Sequence, residues 1–99
     1  MNMTDIQCFI KVTELMSFTK AAEALYTSQQ AVSLHIKHLE NTYKVQLFER
    51  KPSLKLTPSG QMLLEAALDI IDRENRLLNQ FITMQDEFVG EIRSEEHTS

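Results

Sequence analysis

The sequence predicts a mainly α-helical protein in which three short helices and a two-stranded hairpin are followed by one long helix. Apolar residues recur at helical spacing in three segments before residue 44, and a proline-containing turn separates two short alternating segments around Pro52. Neither proline nor glycine interrupts residues 61–89. These observations predict a winged helix-turn-helix domain at residues 1–57, with three helices and a short two-stranded wing, followed by a long dimerisation or linker helix at residues 58–89.

The first two helices are defined by a capping motif and a short break. Thr4 and Gln7 have the spacing of a capping box, in which each side chain satisfies a free backbone N–H, and helical periodicity extends this helix to about Leu15. After the break, residues 18–25 form an alanine-rich segment. Its small side chains allow another helix to cross closely.

The third helix begins at a second capping box, Thr27 to Gln30. Its apolar stripe consists of Val32, Ile36, Leu39 and Tyr43. Two helices joined by so few residues must cross steeply, which is the helix-turn-helix arrangement. We therefore predict a recognition helix at about residues 27–42.

A hydroxyl and a proline, Thr57-Pro58, suit the start of the long helix, which would extend roughly 45 Å. Its apolar seam alternates between spacings of three and four. The predicted dimerisation residues are Leu64, Ala67, Ile71, Leu78, Phe81 and Phe88. Because this helix is too long to cover one small core, we predict a homodimer; the alternative is a helix packed wholly on its own domain.

The residues after the long helix, 90–99, are interpreted as a tail. Gly90 is a predicted helix terminator. The last seven residues, Arg93 to Ser99, resemble the translation of a common sequencing-library adapter. We therefore expect them to be non-native and the natural sequence to continue differently after about Ile92.

Charge is distributed unevenly along the chain. The net charge is -4, but residues 1–57 carry seven basic and five acidic side chains, whereas residues 58–99 carry three basic and nine acidic ones. The positive part coincides with the predicted helix-turn-helix, as a phosphate backbone requires. Cys8 is the only cysteine, which excludes an intrachain disulfide, and its apolar neighbours predict a buried side chain. With no apolar run near the ~20 residues that span a bilayer, we expect a cytoplasmic protein without membrane contact.

No motif predicts catalysis, a cofactor or a metal. The sequence has no glycine-rich phosphate loop, paired acid/base motif or nucleophile elbow, so we predict that the protein is not an enzyme. His35 and His38 stand three residues apart, but no third or fourth ligand occurs at a suitable spacing.

An ordered set of residues resembles the signature of the LysR-type transcriptional regulators. The matching positions are Ser17-Phe18-Thr19, Ala21-Ala22-Glu23, Leu25, Ser28-Gln29, Ala31-Val32-Ser33, Ile36, Leu39-Glu40, Leu47-Phe48, Arg50, Leu56-Thr57 and Gly60. The resemblance covers residues 3 to about 92. Tyr43-Lys44 stands where the family has leucine-glycine, and the wing is one residue shorter and lacks a common arginine, leaving Lys51 and Lys55 to supply charge.

The outer face of the third helix carries the predicted contacts to DNA. With the apolar stripe inward, Gln30, Leu34 and Lys37 face outward, and the resemblance implies that Gln29 and Ser33 contact DNA. The predicted DNA-binding residues are Thr27, Ser28, Gln29, Gln30, Ser33, Leu34, Lys37, Arg50, Lys51 and Lys55. The alternatives are a purely capping role for Gln29, an ordinary exposed side chain at Leu34 and a solvated charge at Lys37.

These features predict sequence-specific binding of double-stranded DNA by a dimer, for transcriptional regulation. The alternative is a helical dimerisation module that pairs with a full-length regulator without itself binding DNA. The resemblance further implies a separate effector-binding domain that senses a small molecule. We expect that domain to be absent from these 99 residues.

Overall fold

The computed structural model describes the backbone of residues 2–97 and the side chains of residues 2–85. Its elements are α1 (Met3–Leu15), α2 (Phe18–Ala24), α3 (Gln29–Tyr43), β1 (Phe48–Glu49), β2 (Lys55–Leu56) and α4 (Pro58–His97). The predicted mainly α winged helix-turn-helix with a long final helix is confirmed. The chain divides into two compact units, the first ending at Leu68 and the second beginning at Asp69.

The core of the first unit lies where α1, α2 and α3 meet. Its fully buried members are Phe9, Val12, Ala21, Val32, Ile36, Leu39 and Leu47. Phe48 joins the sheet to this core, since its ring centroid lies 5.6 Å from that of Phe9 and 5.7 Å from that of Phe18. Burying each large apolar side chain contributes about 1.5–3 kcal/mol. Cys8 is buried as predicted.

Both predicted capping boxes are displaced. Asn2 caps α1, accepting a hydrogen bond from the Asp5 N–H at 2.8 Å, so the prediction of Thr4 with Gln7 is wrong. Ser28, not Thr27, caps α3 and accepts from the Ala31 N–H at 3.1 Å. In the second case the Thr27 N–H donates to the Ala22 carbonyl at 2.9 Å, which keeps Thr27 in the turn after α2. Asparagine and serine are both favourable N-cap residues, so α1 and α3 still begin at good caps, Asn2 and Ser28.

The end of α3 departs from the predicted apolar stripe. Val32, Ile36 and Leu39 are buried, but Tyr43 is 44% exposed because the last turn of α3 extends past the three-helix core. Lys44 follows with φ 58°, the left-handed conformation in which a glycine is ordinarily favoured, and its N–H donates to the Glu40 carbonyl. The lysine therefore makes the sharp turn despite its side chain.

The wing pairs antiparallel, with Phe48 opposite Leu56 and Glu49 opposite Lys55, as the alternating segments predict. The Thr57 hydroxyl caps α4, accepting from the Gly60 N–H at 2.9 Å. Gly60 is required for space, because a Cβ there would overlap the Leu47 carbonyl oxygen and the Leu56 side chain.

The prediction that α4 ends at Gly90 is wrong, since the helix continues through it to His97. A glycine inside a helix costs only about 1 kcal/mol relative to alanine, and the glutamates and arginine that follow are strong helix formers. The non-native origin of residues 93–99 remains a prediction, and residues 98–99 lie outside the described backbone. Over the described residues, no helix has an apolar stretch long enough to cross a bilayer.

Candidate nucleic-acid interface

The outward side of α3 forms one shallow exposed concavity. It is lined by Gln29, Gln30, Ser33, Leu34 and Lys37. Ser33 is half-buried, and the other four are exposed. These side chains combine two amides, a hydroxyl and a cation, so the surface offers hydrogen-bond donors and acceptors around one apolar group.

Leu34 is the unusual member of this surface, because 68% of it is exposed among polar neighbours. An apolar side chain left mostly exposed on a polar surface gains little from burial in the isolated domain. It does offer a surface that a thymine methyl group can contact in a major groove.

The surface lacks negative charge. Glu40 is the only acidic residue of α3, and it turns toward the wing, where its Oε2 accepts from the Leu47 N–H at 2.8 Å. At the other end of α3, the exposed Thr27 and Ser28 lie beside the helix N-terminus. The free backbone N–H groups and the dipole of a helix start favour an anion there.

Arg50 is held beside the helical core rather than left free. Its guanidinium carbon lies 4.2 Å from the ring centroid of Phe18, a cation–π contact. Phe18 itself packs edge-on against Phe48. Lys51 and Lys55 are exposed in the wing, so the three wing cations add positive charge to the first unit.

A buried carboxylate connects α1 to α3, and this contact was not predicted from the sequence. Asp5 is 1% exposed, and its Oδ1 and Oδ2 lie 2.7 Å from His35 Nδ1 and 2.6 Å from His38 Nδ1. Because an ionised carboxylate only accepts, both imidazoles donate. Asp5 shares an α1 face with Phe9 and Val12, and an acid among apolar residues is the signal from which it could have been predicted.

The two imidazoles stabilise the charged form of that carboxylate. Burial raises the pKa of Asp5, but hydrogen bonds from His35 and His38 and the charge of these rings outweigh burial, so the pKa lies below its ordinary value. Within the described residues, no group of three or more histidine, cysteine, aspartate or glutamate side chains is arranged to hold a metal ion.

Two of the predicted dimerisation residues belong to the core of their own chain. Ala67 is fully buried within its own chain, and Leu64 is half-buried against the core cluster, so only part of Leu64 is exposed to a partner. The reason is that the first turns of α4 pack on the small three-helix domain. The apolar side chains of these turns are therefore buried before the second unit begins.

The second unit leaves a row of apolar side chains exposed. Leu78 and Phe81 are 50% and 52% exposed, and Ile71 is half-buried. Leu77 and Ile82, which were not among the predicted residues, are also about half exposed and lie on either side of this row. The Phe88 side chain lies outside the described residues.

Comparison with known proteins identifies relatives of this chain. Residues 3–61 match the family described as bacterial regulatory helix-turn-helix protein, lysR family. The HTH-type transcriptional regulator YtlI of Bacillus subtilis is 35% identical over 92 residues, which cover 93% of this chain and 30% of that protein. The Hca operon transcriptional activator HcaR of Escherichia coli is 36% identical over 89 residues, covering 88% and 30%. The chain thus spans less than a third of the length of these relatives.

Solved structures of similar domains include complexes with DNA. The DNA-binding domain of BenM with catB site 1 DNA has a TM-score of 0.83 at 28% identity, covering 88% of this chain and 95% of that one. The CbnR DNA-binding domain in complex with DNA has a TM-score of 0.79 at 28% identity, covering 85% and 98%.

Proposed function

The chain belongs to the LysR family of bacterial helix-turn-helix regulators, and from that membership we propose that it binds duplex DNA sequence-specifically to regulate transcription. The relatives are described as transcriptional regulators or activators, and two of the similar domains were solved on DNA. We place the protein in the cytoplasm, where bacterial DNA is found, and assign it no catalytic activity.

The observation that carries this proposal is the exposed outer side of α3. Gln29, Gln30 and Ser33 offer the hydrogen-bonding groups that read base edges, and Leu34 offers the apolar contact for a thymine methyl. A recognition helix enters the major groove with its N-terminal residues against the bases. The first two turns of α3 carry all four of these side chains.

Phosphate contacts are assigned to groups around that surface. Thr27, Ser28 and the free N–H groups at the start of α3 suit one phosphate, and Lys37 lies along the same helix. Arg50, held against Phe18, and the wing residues Lys51 and Lys55 suit others. Such contacts position the protein, and the base contacts give it sequence preference.

The proposed active form is a homodimer joined through the part of α4 that lies in the second unit. Half-exposed apolar side chains such as Leu78 and Phe81 favour burial against the same helix of another chain. A twofold dimer presents two copies of α3 to half-sites separated by about one helical turn, or a multiple of it.

Selection of bound sequences from random duplexes tests the proposal. We expect the parent protein to enrich an interrupted palindrome, and Gln29→Ala to weaken preference at one base pair of each half-site by about 1–3 kcal/mol. The matched control is Gln61→Ala, which removes an exposed glutamine from the first turn of α4.

Salt dependence separates this proposal from a module that only pairs with another regulator. DNA affinity should fall steeply as salt rises, because neutralised phosphates release counterions. If a protein shown to be dimeric enriched no sequence at low salt, this result would contradict sequence-specific DNA binding and favour the pairing module.

A further inference from the structure

One hydrogen bond connects the outer side of α3 to α2. The Thr19 hydroxyl donates to Oε1 of Gln29 at 3.1 Å, across a sequence separation of ten residues. Both side chains are exposed, so the bond does not serve the core. It engages the side chain to which the proposed function assigns base reading.

Both partners sit in the first turns of capped helices. Ser17 caps α2 by accepting from the Lys20 N–H at 3.1 Å, and Ser28 caps α3 by accepting from the Ala31 N–H at 3.1 Å. The backbone on each side is therefore held by its own cap. The β-branched Thr19 side chain also has few rotamers, so its hydroxyl is directed with little freedom.

In the arrangement found, the bond occupies the oxygen of the Gln29 amide. A carboxamide carries an acceptor oxygen and a donor NH₂, and rotation by about 180° exchanges their positions. With its oxygen engaged by Thr19, Gln29 keeps its NH₂ free for a ligand. That group matches the acceptor atoms of guanine, adenine N7 or thymine O4 in the major groove, and it does not match the N4 donor of cytosine.

We propose that Thr19 is a positioning residue that orients the Gln29 amide and thereby narrows the base preference at the base pair that Gln29 reads. This inference rests on the proposed function, since it concerns how Gln29 reads a base. Thr19 acts through Gln29 and needs no DNA contact of its own.

Thr19→Val tests the inference because valine keeps the branched shape and removes the donor. Affinities are measured for four duplexes that carry each of the four base pairs at the Gln29 position. We expect the ratio between the best and worst duplex to shrink about threefold to tenfold, the range that one hydrogen bond gives. The conservative Thr19→Ser should retain the parental ratio, and thermal melting checks that each variant is folded.

A second measurement uses the Gln29→Ala background. There Thr19→Val should change no ratio further, since the amide it orients is gone. Unchanged ratios in Thr19→Val with Gln29 present would overturn the inference while leaving DNA binding intact. An equal loss of affinity for all four duplexes would indicate that Thr19 contacts a phosphate, and this result would also overturn the inference. Failure of the parent protein to bind any of the four duplexes would instead overturn the proposed function, on which this inference rests.

Discussion

Replacing Leu78 and Phe81 together with glutamate is expected to turn the proposed dimer into a monomer and to lower affinity for a two-half-site operator by about 10²- to 10⁴-fold. Both side chains lie half exposed on the second unit of α4. Carboxylates there would have to be buried without partners when two helices pair. A monomer then binds one half-site, and the gain from linking two binding events is lost.

Sedimentation measures the loss of dimerisation, and binding to a duplex that carries both half-sites measures the loss of affinity. The matched control is Gln80→Glu with Thr83→Glu, which adds the same charge on the opposite, polar side of the helix. The control should remain dimeric and retain most of its affinity. A Leu78→Glu, Phe81→Glu protein that stays dimeric at micromolar concentration would contradict the assignment of this apolar row to the dimer.

Replacing Asp5 with alanine is expected to lower the free energy of unfolding by about 3 kcal/mol at pH 7. The buried carboxylate accepts from two imidazoles, and hydrogen bonds to a charged group contribute about 1.5–3 kcal/mol each. We take the lower end of the sum of the two bonds, because His35 and His38 are partly exposed and can form hydrogen bonds with water instead. A loss of this size is a large fraction of the stability of a small domain.

The effect of Asp5→Ala should depend on pH in a defined direction. The pKa of Asp5 is lower in the folded protein than the ordinary value that applies after unfolding, so its contribution is complete above about pH 4. That contribution is lost as the pH falls through the folded pKa. The difference between parent and variant should therefore shrink in acid.

Denaturant unfolding at pH 7 and at pH 3 measures both expectations. Glu14→Ala is the control, since Glu14 is an exposed carboxylate on the same helix paired with Lys11 at 2.9 Å. Such a surface pair contributes at most about 1 kcal/mol. If Asp5→Ala cost no more than Glu14→Ala at pH 7, the buried network would not hold α1 to α3.

The order and type of the elements were predictable from local patterns. The stripe of Val32, Ile36 and Leu39 determines which side of α3 is buried, and its outward residues are exposed as expected. The turn around Pro52 and the Thr57 cap likewise follow from residue chemistry alone. A small domain with strong periodicity leaves few other arrangements that bury the same residues.

Contacts between elements were not predictable in the same way. Periodicity places Ala67 on the apolar seam of α4, but only the packed domain reveals that its own core buries this residue. The pairing of Asp5 with two histidines 30 and 33 residues away, and that of Thr19 with Gln29, also depend on how the helices cross. Sequence spacing reports which residues share a helix face, and crossing angles decide what that face meets.

Cleavage of a selected duplex by an iron chelate attached to Leu34→Cys tests most directly whether the outer side of α3 lies against the bases. Cys8 will not compete for the reagent, because it is buried and because burial and the nearby Asp5 charge raise the pKa of its thiol. Met62→Cys, at an exposed position on α4, is the control. We expect chelate at residue 34 to cut two clusters, one at the Gln29-dependent base pairs of each half-site, and chelate at residue 62 to cut elsewhere. Even cleavage along the duplex from residue 34, or cuts confined to sequence outside the half-sites, would contradict recognition through α3.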